Sequence, residues 1–199
     1  MTDTHRRIAA LLLAAGGGRR LGGRPKALLT HRGRPLVEYA ARELRAGGCG
    51  PVHVVLGAGA HDVRERAALD SCVVVENPAW AEGMGSSLRV GLESLAGTGA
   101  PAVLVALVDQ PGIGAAAVAR VVAGFRDESS LVSAAYHGVR GHPVLLGARH
   151  WAGVAASATG DRGARAYLRA HEAAITLIEC GDVAEPHDID TEADLVHLE

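Results

Sequence analysis

Short runs of consecutive apolar residues recur along the first half of the chain. They cover residues 8–14, 52–57, 72–76 and 102–108. Uninterrupted hydrophobicity of this length, rather than strict alternation, is typical of central strands in a parallel sheet that is covered on both faces. We therefore expect four buried strands from these runs.

Segments with helical spacing of apolar residues separate the predicted strands. Apolar residues repeat at this spacing over residues 36–44, and Gly47-Gly48 then provides a natural C-terminal stop. Two more helices are expected over residues 86–95 and 115–125. The alternation of strand and helix predicts right-handed βαβ crossovers and an α/β fold with a doubly wound sheet.

The second half of the chain continues the pattern in shorter pieces. Residues 131–146, LVSAAYHGVRGHPVLL, contain two β-like runs joined by residues 137–141, which predicts a hairpin or a pair of adjoining strands. A helix, a strand and a last helix are then expected over residues 163–170, 174–179 and 191–197. Because no repeat, low-complexity tract or linker interrupts the chain, we predict a single domain over residues 1–199.

Composition narrows the class of protein without identifying it. With 199 residues and 48% hydrophobic residues, the chain can bury a proper core, and only 3% aromatic residues means that this core depends on Ala, Val and Leu. The formal net charge of −2 gives no reason to expect a nucleic acid or a membrane as partner. Three scattered cysteines favour reduced thiols and a cytoplasmic location.

A targeting signal is the alternative interpretation of the N-terminal segment. HRRIAALLLAAGG, residues 5–17, has a basic start, a short apolar stretch and small residues, as a signal peptide does. Four cationic residues follow at once, and the apolar run is far too short to span a bilayer. A buried first strand is the better prediction.

The loop after this strand is rich in glycine and in positive charge. It lies within LLLAAGGGRRLGGRPKALL, residues 11–29, and a loop in this position is expected at the carboxyl edge of the sheet, where ligands bind. The dinucleotide pattern G-x-G-x-x-G fails because, counted from Gly16, its last position is Leu21. The P-loop pattern fails because Arg24-Pro25 stands where Lys-Ser/Thr is required.

Glycines and fixed cations therefore define this loop. Arg19, Arg20 and Lys26 suit a triphosphate, whose negative charge must be balanced as a bond breaks. A surface turn with solvated charges is the alternative.

Two acidic segments could complete such a site. Asp109 follows the fourth apolar run in VALVDQP, where it can reach a cation or serve as a turn or cap residue. Asp188 and Asp190 alternate with an apolar residue in EPHDIDTEADL, so their side chains share one face if that stretch is extended. Two carboxylates from distant segments over one Mg²⁺ would suit phosphate chemistry, while Thr191 with Asp194 could equally cap the last helix.

Taken together, these stretches resemble a known family. LAAGGGRRLGGRPKAL resembles the signature L-A-A-G-x-S-x-R-x-G…P-K of MobA-like NTP transferases, nucleotidyltransferases that act on the molybdenum cofactor, and within them the cytidylyltransferases of that cofactor. Five further stretches match in the same order, over residues 77–92, 107–111, 140–146, 160–165 and 187–195. The resemblance covers nearly the whole chain, from about Ile8 to Leu195.

The resemblance implies a Rossmann-like fold and a Mg²⁺-dependent transfer of CMP from CTP to the phosphate of molybdopterin, with release of pyrophosphate. The catalytic residues it implies are Arg20, Lys26 and Asp109. The nucleotide-binding residues it implies are Leu13, Ala14, Ala15, Gly16, Gly17, Gly18, Lys26, Asn77, Gly83, Ser86 and Ser87. The acceptor-binding residues are Arg140, Gly141 and His142, and the metal ligands are Asp109 and Asp190. A molybdoenzyme or its chaperone is implied as a further partner.

Departures from the family pattern keep alternatives open. Ala15 stands where guanylyltransferases of the family tend to have glycine, which favours CTP, whereas Gly22-Gly23 resembles the GTP-using branch. The alternatives are a guanylyltransferase, a transferase acting on another phosphorylated acceptor, and a non-catalytic chaperone that binds nucleotide or cofactor. Trp80 and Trp151 are expected to be packing anchors, and Asp161 a helix cap.

Overall fold

The computed structural model describes residues 7–198. Its strands are β1 (Ala9–Ala14), β2 (Thr30–His31), β3 (Arg34–Pro35), β4 (Val52–Leu56), β5 (Val73–Glu76), β6 (Ala102–Leu107), β7 (Leu131–Tyr136), β8 (Val139–Gly147) and β9 (Ile175–Glu179). Its α-helices are α1 (Leu36–Ala46), α2 (Ala60–Arg66), α3 (Met84–Ser94), α4 (Ala115–Ala123), α5 (Trp151–Ser157) and α6 (Arg165–Ala170). Short 3₁₀ turns include Arg19–Leu21, Lys26–Leu28, Trp80–Glu82, Gly160–Arg162 and Glu192–His197.

Seven strands form one mostly parallel sheet, in the order β5-β4-β1-β6-β8-β7-β9. Strands β5, β4, β1 and β6 pair in parallel, and so do β7 and β9. Strand β8 runs antiparallel to both of its neighbours, β6 and β7. The predicted α/β fold with a doubly wound, mostly parallel sheet is confirmed.

The core lies on both faces of this sheet. Along β1, Ala10 and Leu12 pack into a layer with α1 and α4, while Leu11 and Leu13 face a second layer with α3, α5 and α6. Every residue of β1 is buried. Since successive side chains of a strand point to opposite faces, a strand between two helical layers must be apolar at every position.

The third apolar run does not form a central strand as predicted. Strand β5 lies at the edge of the sheet, and Val73 is 45% exposed. An apolar run predicts a strand but does not say which side of it another strand will cover. The connection between β7 and β8 is also shorter than predicted. It is the two-residue turn His137-Gly138, and β8 already begins at Val139.

The helix predictions hold in the first half and are less accurate in the second. Helices α1, α3 and α4 are confirmed, with boundaries that differ by two residues or fewer, whereas α2 and α5 were not predicted. The last predicted helix is a 3₁₀ helix, Glu192–His197, opened by a full capping box between Thr191 and Asp194. The single domain stays a prediction.

The register of the central strands brings the functional segments to one edge. Leu13 lies opposite Leu107 and Ala14 opposite Leu56, so the loops that follow β1, β4 and β6 leave the sheet side by side. The apolar run in the segment that resembles a signal peptide is thus strand β1. The first two residues of that segment, 5 and 6, lie outside the described part of the chain. Within residues 7–198, no helix has the length and hydrophobicity needed to cross a membrane.

Candidate active site

The glycine-rich loop after β1 is a tight, hydrogen-bonded turn. Gly18 has a positive φ of 57°, and a Cβ there would lie 2.1 Å from the carbonyl oxygen of Arg24. The amides of Leu21 and Gly23 both donate to the Gly18 carbonyl, at 2.8 and 3.0 Å. Leu21 is fully buried and anchors the turn, while Arg20 is exposed. Only glycine fits position 18, so the turn itself depends on this residue.

A charged cluster lies beside this loop. Lys26, the only lysine in the sequence, donates through Nζ to Asp109 Oδ2 at 2.7 Å. The same ammonium contacts Asp190 Oδ1. Three residues that the sequence assigns to phosphate binding and metal binding therefore meet at one point, although up to 164 positions separate them in the chain.

The surroundings of this cluster shift its ionisation. Burial by itself would lower the pKa of Lys26, but the carboxylates of Asp109 and Asp190 outweigh it, so the pKa is raised. Burial raises the pKa of Asp109, Lys26 opposes this, and the charges of Asp188 and Asp190 add to the increase. Two carboxylates thus contact one ammonium, a third lies close enough to act on Asp109, and the surplus of negative charge attracts a further cation.

The C-terminal segment is held by its backbone against the residues that follow strand β6. The amide of Ile189 donates to the carbonyl of Asp109 at 2.9 Å, and the Ile189 side chain is fully buried. This contact turns the side chains on either side of Ile189 toward the sheet edge. Asp190 reaches Lys26, whereas Asp188 accepts a hydrogen bond of 2.8 Å from Gln110 Nε2.

The donor set fits a hard divalent cation. Asp109 and Asp190 contact the same ammonium, so their oxygens are close enough to bind one ion together, and Mg²⁺ usually takes one or two carboxylates plus phosphate oxygens and water. Among the described residues, no three His, Cys, Asp or Glu side chains are grouped as a complete metal cage. Such a cation would therefore need oxygens from a bound phosphate.

A cleft of about 570 Å³ opens above the cluster. The predicted site residues that line it are Leu13, Ala15, Gly16, Gly17, Gly18, Arg20, Lys26, Gly83, Ser87, Asp109 and Asp190. Asp188, which the spacing already placed on one face with Asp190, also lines the cleft, as do Trp80, Ala81 and Asp161, which sequence reasoning did not assign to it. The Trp80 ring lies directly against the loop, since a Cβ on Gly17 would come within 3.2 Å of it.

Three residues predicted to contact the nucleotide do not line the cleft. Ala14 is buried inside the sheet. Asn77 is buried and donates to the hydroxyls of Ser86 and Ser87 at 2.8 and 3.0 Å, while its oxygen accepts from the amide of Ala79 at 3.0 Å. The hydroxyl of Ser86 is also bonded to the Gly83 carbonyl, at 2.8 Å. These polar groups are used in holding the start of α3, which favours a structural role.

Asp161 lines the cleft beside Gly83. Gly83 has a φ of 109°, and a Cβ there would come within 2.6 Å of Asp161 Oδ1. Asp161 is exposed within the 3₁₀ turn Gly160–Arg162 and faces the cleft, whereas the sequence predicted a helix cap. The available signal was the flanking pair Gly160 and Gly163, both with positive φ, because such a turn exposes the residue between them.

A second cavity, of about 300 Å³, adjoins the cleft. Both cavities are lined by Leu13, Met84, Leu107, Asp161 and Asp188. The three predicted acceptor residues, Arg140, Gly141 and His142, line this second cavity, which we call the chamber. Burial lowers the pKa of His142 to about 4, with Asp109 opposing and Arg165 and Arg140 adding, so its imidazole is neutral near pH 7.

The chamber is lined by aliphatic side chains and by charged ones, which include Asp161 and Asp188 as well as arginines. The wall includes Leu88, Val105, Val144, Leu146 and Leu168, and the rim carries Arg140, Arg162 and Arg165. Trp151 lies behind it as a packing residue, with its indole N–H bonded to the Leu146 carbonyl at 2.9 Å. The site thus joins a cleft formed by the glycine-rich loop and the charged cluster, suited to phosphates, with a chamber of mixed apolar and polar lining, suited to an organic molecule.

A known protein family covers most of this chain. The model of the MobA-like NTP transferase domain matches residues 10–175. This chain belongs to the MobA-like NTP transferase family. The resemblance inferred from the motifs is therefore confirmed, and so is the enzyme class, nucleotidyltransferase, at the level of the family.

Relatives of this MobA-like protein carry several names. Nicotine blue oxidoreductase from Paenarthrobacter nicotinovorans is 42% identical over 198 residues, 96% of each chain. Molybdenum cofactor guanylyltransferase from Cereibacter sphaeroides is 39% identical over 107 residues, 53% of this chain and 51% of that protein. The manganese complex of Rv0371C from Mycobacterium tuberculosis superimposes with a TM-score of 0.75 at 26% identity, covering 96% of this chain and 97% of the other.

Proposed function

We propose that this protein transfers CMP from CTP to the phosphate of a molybdopterin-type acceptor and releases pyrophosphate. The observation that carries the proposal is the junction of the two cavities. A cleft suited to a triphosphate and a chamber suited to an organic acceptor share a boundary, and Lys26, Asp109 and Asp190 lie beside it. The nucleotide and its acceptor would meet at this boundary.

The reaction is a direct displacement. A phosphate oxygen of the acceptor attacks the α-phosphorus of CTP, a new P–O bond forms, and the bond to pyrophosphate breaks. A phosphate monoester is nucleophilic at neutral pH, so no general base is needed. The neutral imidazole of His142, half-buried in the chamber lining, fits a binding role rather than proton transfer.

The loop and the charged cluster would have separate roles in the reaction. Backbone amides of the loop and the exposed guanidinium of Arg20 would bind the phosphates, and Lys26 would leave its carboxylates to stabilise charge on the departing pyrophosphate. Asp109 and Asp190 would hold Mg²⁺, which supplies charge neutralisation at the phosphate oxygens. The manganese complex of Rv0371C, a structural neighbour at 26% identity, supports a divalent cation.

Ala15 supports cytidine as the base. It lines the cleft, and its methyl group packs so close to Gly57 that a Cβ there would come within 2.8 Å of it. Gly22 and Gly23, the feature that favoured guanosine, are exposed, and a Cβ on either would meet no atom within 4 Å. Neither glycine lines the cleft, so the choice of cytidine in this proposal rests on Ala15.

The test is release of pyrophosphate with each of the four NTPs, molybdopterin and Mg²⁺. We expect release with CTP, and we expect Ala15→Gly to move the preference toward GTP by about 10-fold, the effect of one methyl group in a pocket. Preference for GTP in the unchanged protein would replace cytidylyl by guanylyl transfer. Tight nucleotide binding without release, with any phosphorylated acceptor, would favour the non-catalytic chaperone.

Reduction of an organic molecule is the second candidate function. The observation that favours it is the similarity, over 96% of both chains, to a protein named nicotine blue oxidoreductase. The cleft would then bind the nucleotide part of a reduced nicotinamide dinucleotide, and the chamber a quinonoid dye. Hydride would pass from the nicotinamide to the dye, and solvent would supply the proton.

An absorbance assay separates the two candidates. Loss of reduced nicotinamide absorbance that requires both the protein and a quinonoid dye, without pyrophosphate release in the transfer assay, would favour reduction. Release of pyrophosphate without loss of nicotinamide absorbance would favour transfer.

A further inference from the structure

Strand β8 carries a bulge where it borders the chamber. Ser133 of β7 is paired with Val144 and Ala135 with Arg140, so a single residue of β7 lies opposite three residues of β8, 141–143. The pairing of β8 with its other neighbour, β6, ends at Val144. A bulge bends its strand and leaves backbone groups without partners in the ladder. These groups need other partners, because a buried carbonyl without a hydrogen bond opposes folding.

Two hydroxyl groups of β7 supply these partners. Ser133, which is fully buried, donates through Oγ to the carbonyl of Gly141 at 2.8 Å, while the carbonyl of Ala134 is farther away, at 3.1 Å. Tyr136, which is also buried, donates through its hydroxyl to the carbonyl of His142 at 2.7 Å. Two successive carbonyls of the bulge are thus bonded to side chains of the neighbouring strand.

Tyr136 also restricts the bulge through the position of its ring. A Cβ on Gly141 would come within 2.9 Å of this ring, so the ring lies directly against the backbone of the bulge. Burial raises the pKa of the Tyr136 hydroxyl, which therefore stays protonated and can donate in neutral solution. The ring and the hydroxyl of one side chain thus hold two consecutive residues of the bulge.

The bulge separates two cavities. Arg140, Gly141 and His142 line the chamber, and the same three residues line a third cavity, of about 610 Å³. The other side of this third cavity is formed by residues of the segment 181–187. Because there is space on both sides of the bulge, packing leaves it room to move, and the bonds from β7 restrict that movement.

We propose that Ser133 and Tyr136 are positioning residues for the organic acceptor, because by holding the bulge they keep the imidazole of His142 in the chamber wall. The proposal rests on the proposed function for the identity of the acceptor. Neither Ser133 nor Tyr136 belongs to the chamber lining, so both act through His142 and not by touching the acceptor. A side chain that is already in place does not have to be ordered when the ligand binds, which favours affinity.

Loss of either hydroxyl should weaken use of the acceptor and leave the nucleotide unaffected. Tyr136→Phe and Ser133→Ala each remove one oxygen and keep the rest of the side chain. In the transfer assay with Mg²⁺ and CTP, each should raise the KM for molybdopterin about 5-fold, the effect of one hydrogen bond, and should change kcat and the Kd for CTP by less than about 2-fold. An equal loss of CTP affinity would overturn the proposal.

Two matched variants lose a comparable hydroxyl elsewhere in the fold. The hydroxyl of Tyr167 is bonded to His150 Nδ1 at 2.8 Å, and that of Ser94 donates to the carbonyl of Gly91 at 2.7 Å. Tyr167→Phe and Ser94→Ala should leave the KM for molybdopterin within about 2-fold of its original value. A rise in KM equal to that of the bulge variants would overturn the proposal, since any lost hydroxyl would then have this effect.

A double-mutant cycle shows whether Tyr136 acts through His142. His142→Ala should raise the KM for molybdopterin about 10-fold. Adding Tyr136→Phe to this variant should raise the KM by less than about 2-fold more, because the group that the tyrosine positions is already gone. Losses that multiply in full would overturn the proposal, because Tyr136 would then act independently of the imidazole.

Nuclear magnetic resonance of the full chain without ligands tests the positioning even if no transfer occurs. At neutral pH, the proton–carbon cross-peak of the His142 ring, identified by its loss in His142→Ala, should move in Tyr136→Phe and Ser133→Ala and stay in place in Tyr167→Phe. A peak that stays in place in both bulge variants would overturn the proposal, whatever the transfer assay shows. A peak that moves, without pyrophosphate release from any acceptor, would support the positioning and count against the transfer.

Discussion

The cleft and the chamber differ in how their polar groups are partnered. In the cleft, Lys26, Asp109 and Asp190 are bonded to one another. Beside the chamber, a nitrogen of Arg140 and the oxygen of Gln110 are buried without partners among the described residues. One region must exchange internal ion pairs for ligand contacts, and the other has none to exchange among the described residues.

This difference predicts two kinds of ligand binding. A nucleotide entering the cleft competes with the protein's own ion pairs, so its affinity should depend strongly on metal and on each charge. A ring entering the chamber displaces no ion pair, so its affinity should depend mainly on fit.

Replacing Asp109 should produce the largest effect, because it removes charge at the point of transfer. Asp109→Asn is expected to lower kcat about 100-fold or more and to change nucleotide affinity far less. Pyrophosphate release and equilibrium CTP binding measure the two quantities. Asp182→Asn, which breaks an exposed pair with Arg120, is the matched control and should leave both nearly unchanged. Equal losses in kcat and affinity would instead make Asp109 a structural residue.

Replacing Lys26 should separate metal binding from nucleotide binding. Lys26→Met is expected to lower kcat/KM about 10- to 100-fold. The protein without nucleotide should bind Mg²⁺ more tightly, because its carboxylates lose their internal cation. Titrations with Mg²⁺ and with CTP measure these opposite changes, and Lys26→Arg, which keeps the charge, is the control. A fall in both affinities would contradict an exchange of partners.

Asn77 tests whether the wall of the cleft is built from internal bonds. Asn77→Ala removes bonds to two serine hydroxyls and to the Ala79 amide, and should lower the free energy of unfolding by about 2 kcal/mol. Urea unfolding measures it, with the exposed Ser71→Ala as control. Unchanged stability with lost CTP binding would show that Asn77 contacts the nucleotide after all.

The lowered pKa of His142 should make the stability of the folded protein depend on pH. Its pKa is about 4 in the folded protein and near 6.5 when unfolded, so the unfolded chain binds more protons between these values. Stability should therefore fall as pH falls through this window. Between pH 7 and pH 5 this residue should contribute a loss of about 1–2 kcal/mol, which His142→Gln removes. Urea unfolding at both pH values checks it, and an identical loss in both proteins would contradict it.

The sequence predicted the parts that depend on local pattern. Continuous apolar runs predicted β1, β4 and β6, and the position of the glycine-rich loop after β1 predicted its place at the ligand-binding edge. The pairing of Asp109 with Asp190 was a hypothesis from spacing and resemblance. The structure brings both to Lys26, because the backbone of Ile189 is bonded to that of Asp109.

Other features depend on tertiary contacts that a single sequence does not encode locally. Asn77 is polar and lies beside a motif, yet its amide nitrogen donates to the hydroxyls of two serines near the start of α3. Asp161 resembles a cap in sequence but faces the cleft, because two glycines with positive φ turn the chain there. The orientation of the Gln110 amide depends on its hydrogen bond to Asp188, which is 78 positions away.

The pairing of Lys26 with Asp190 has a consequence for how the protein is made. The ribosome adds Asp190 164 residues after Lys26, so the loop and strand β1 exist for most of synthesis without the carboxylate that completes their charge balance. A nascent chain can therefore form much of its sheet while it is still unable to hold a nucleotide and a divalent cation together. Nucleotide binding by chains stalled on the ribosome would mark the moment at which the segment around Ile189 docks.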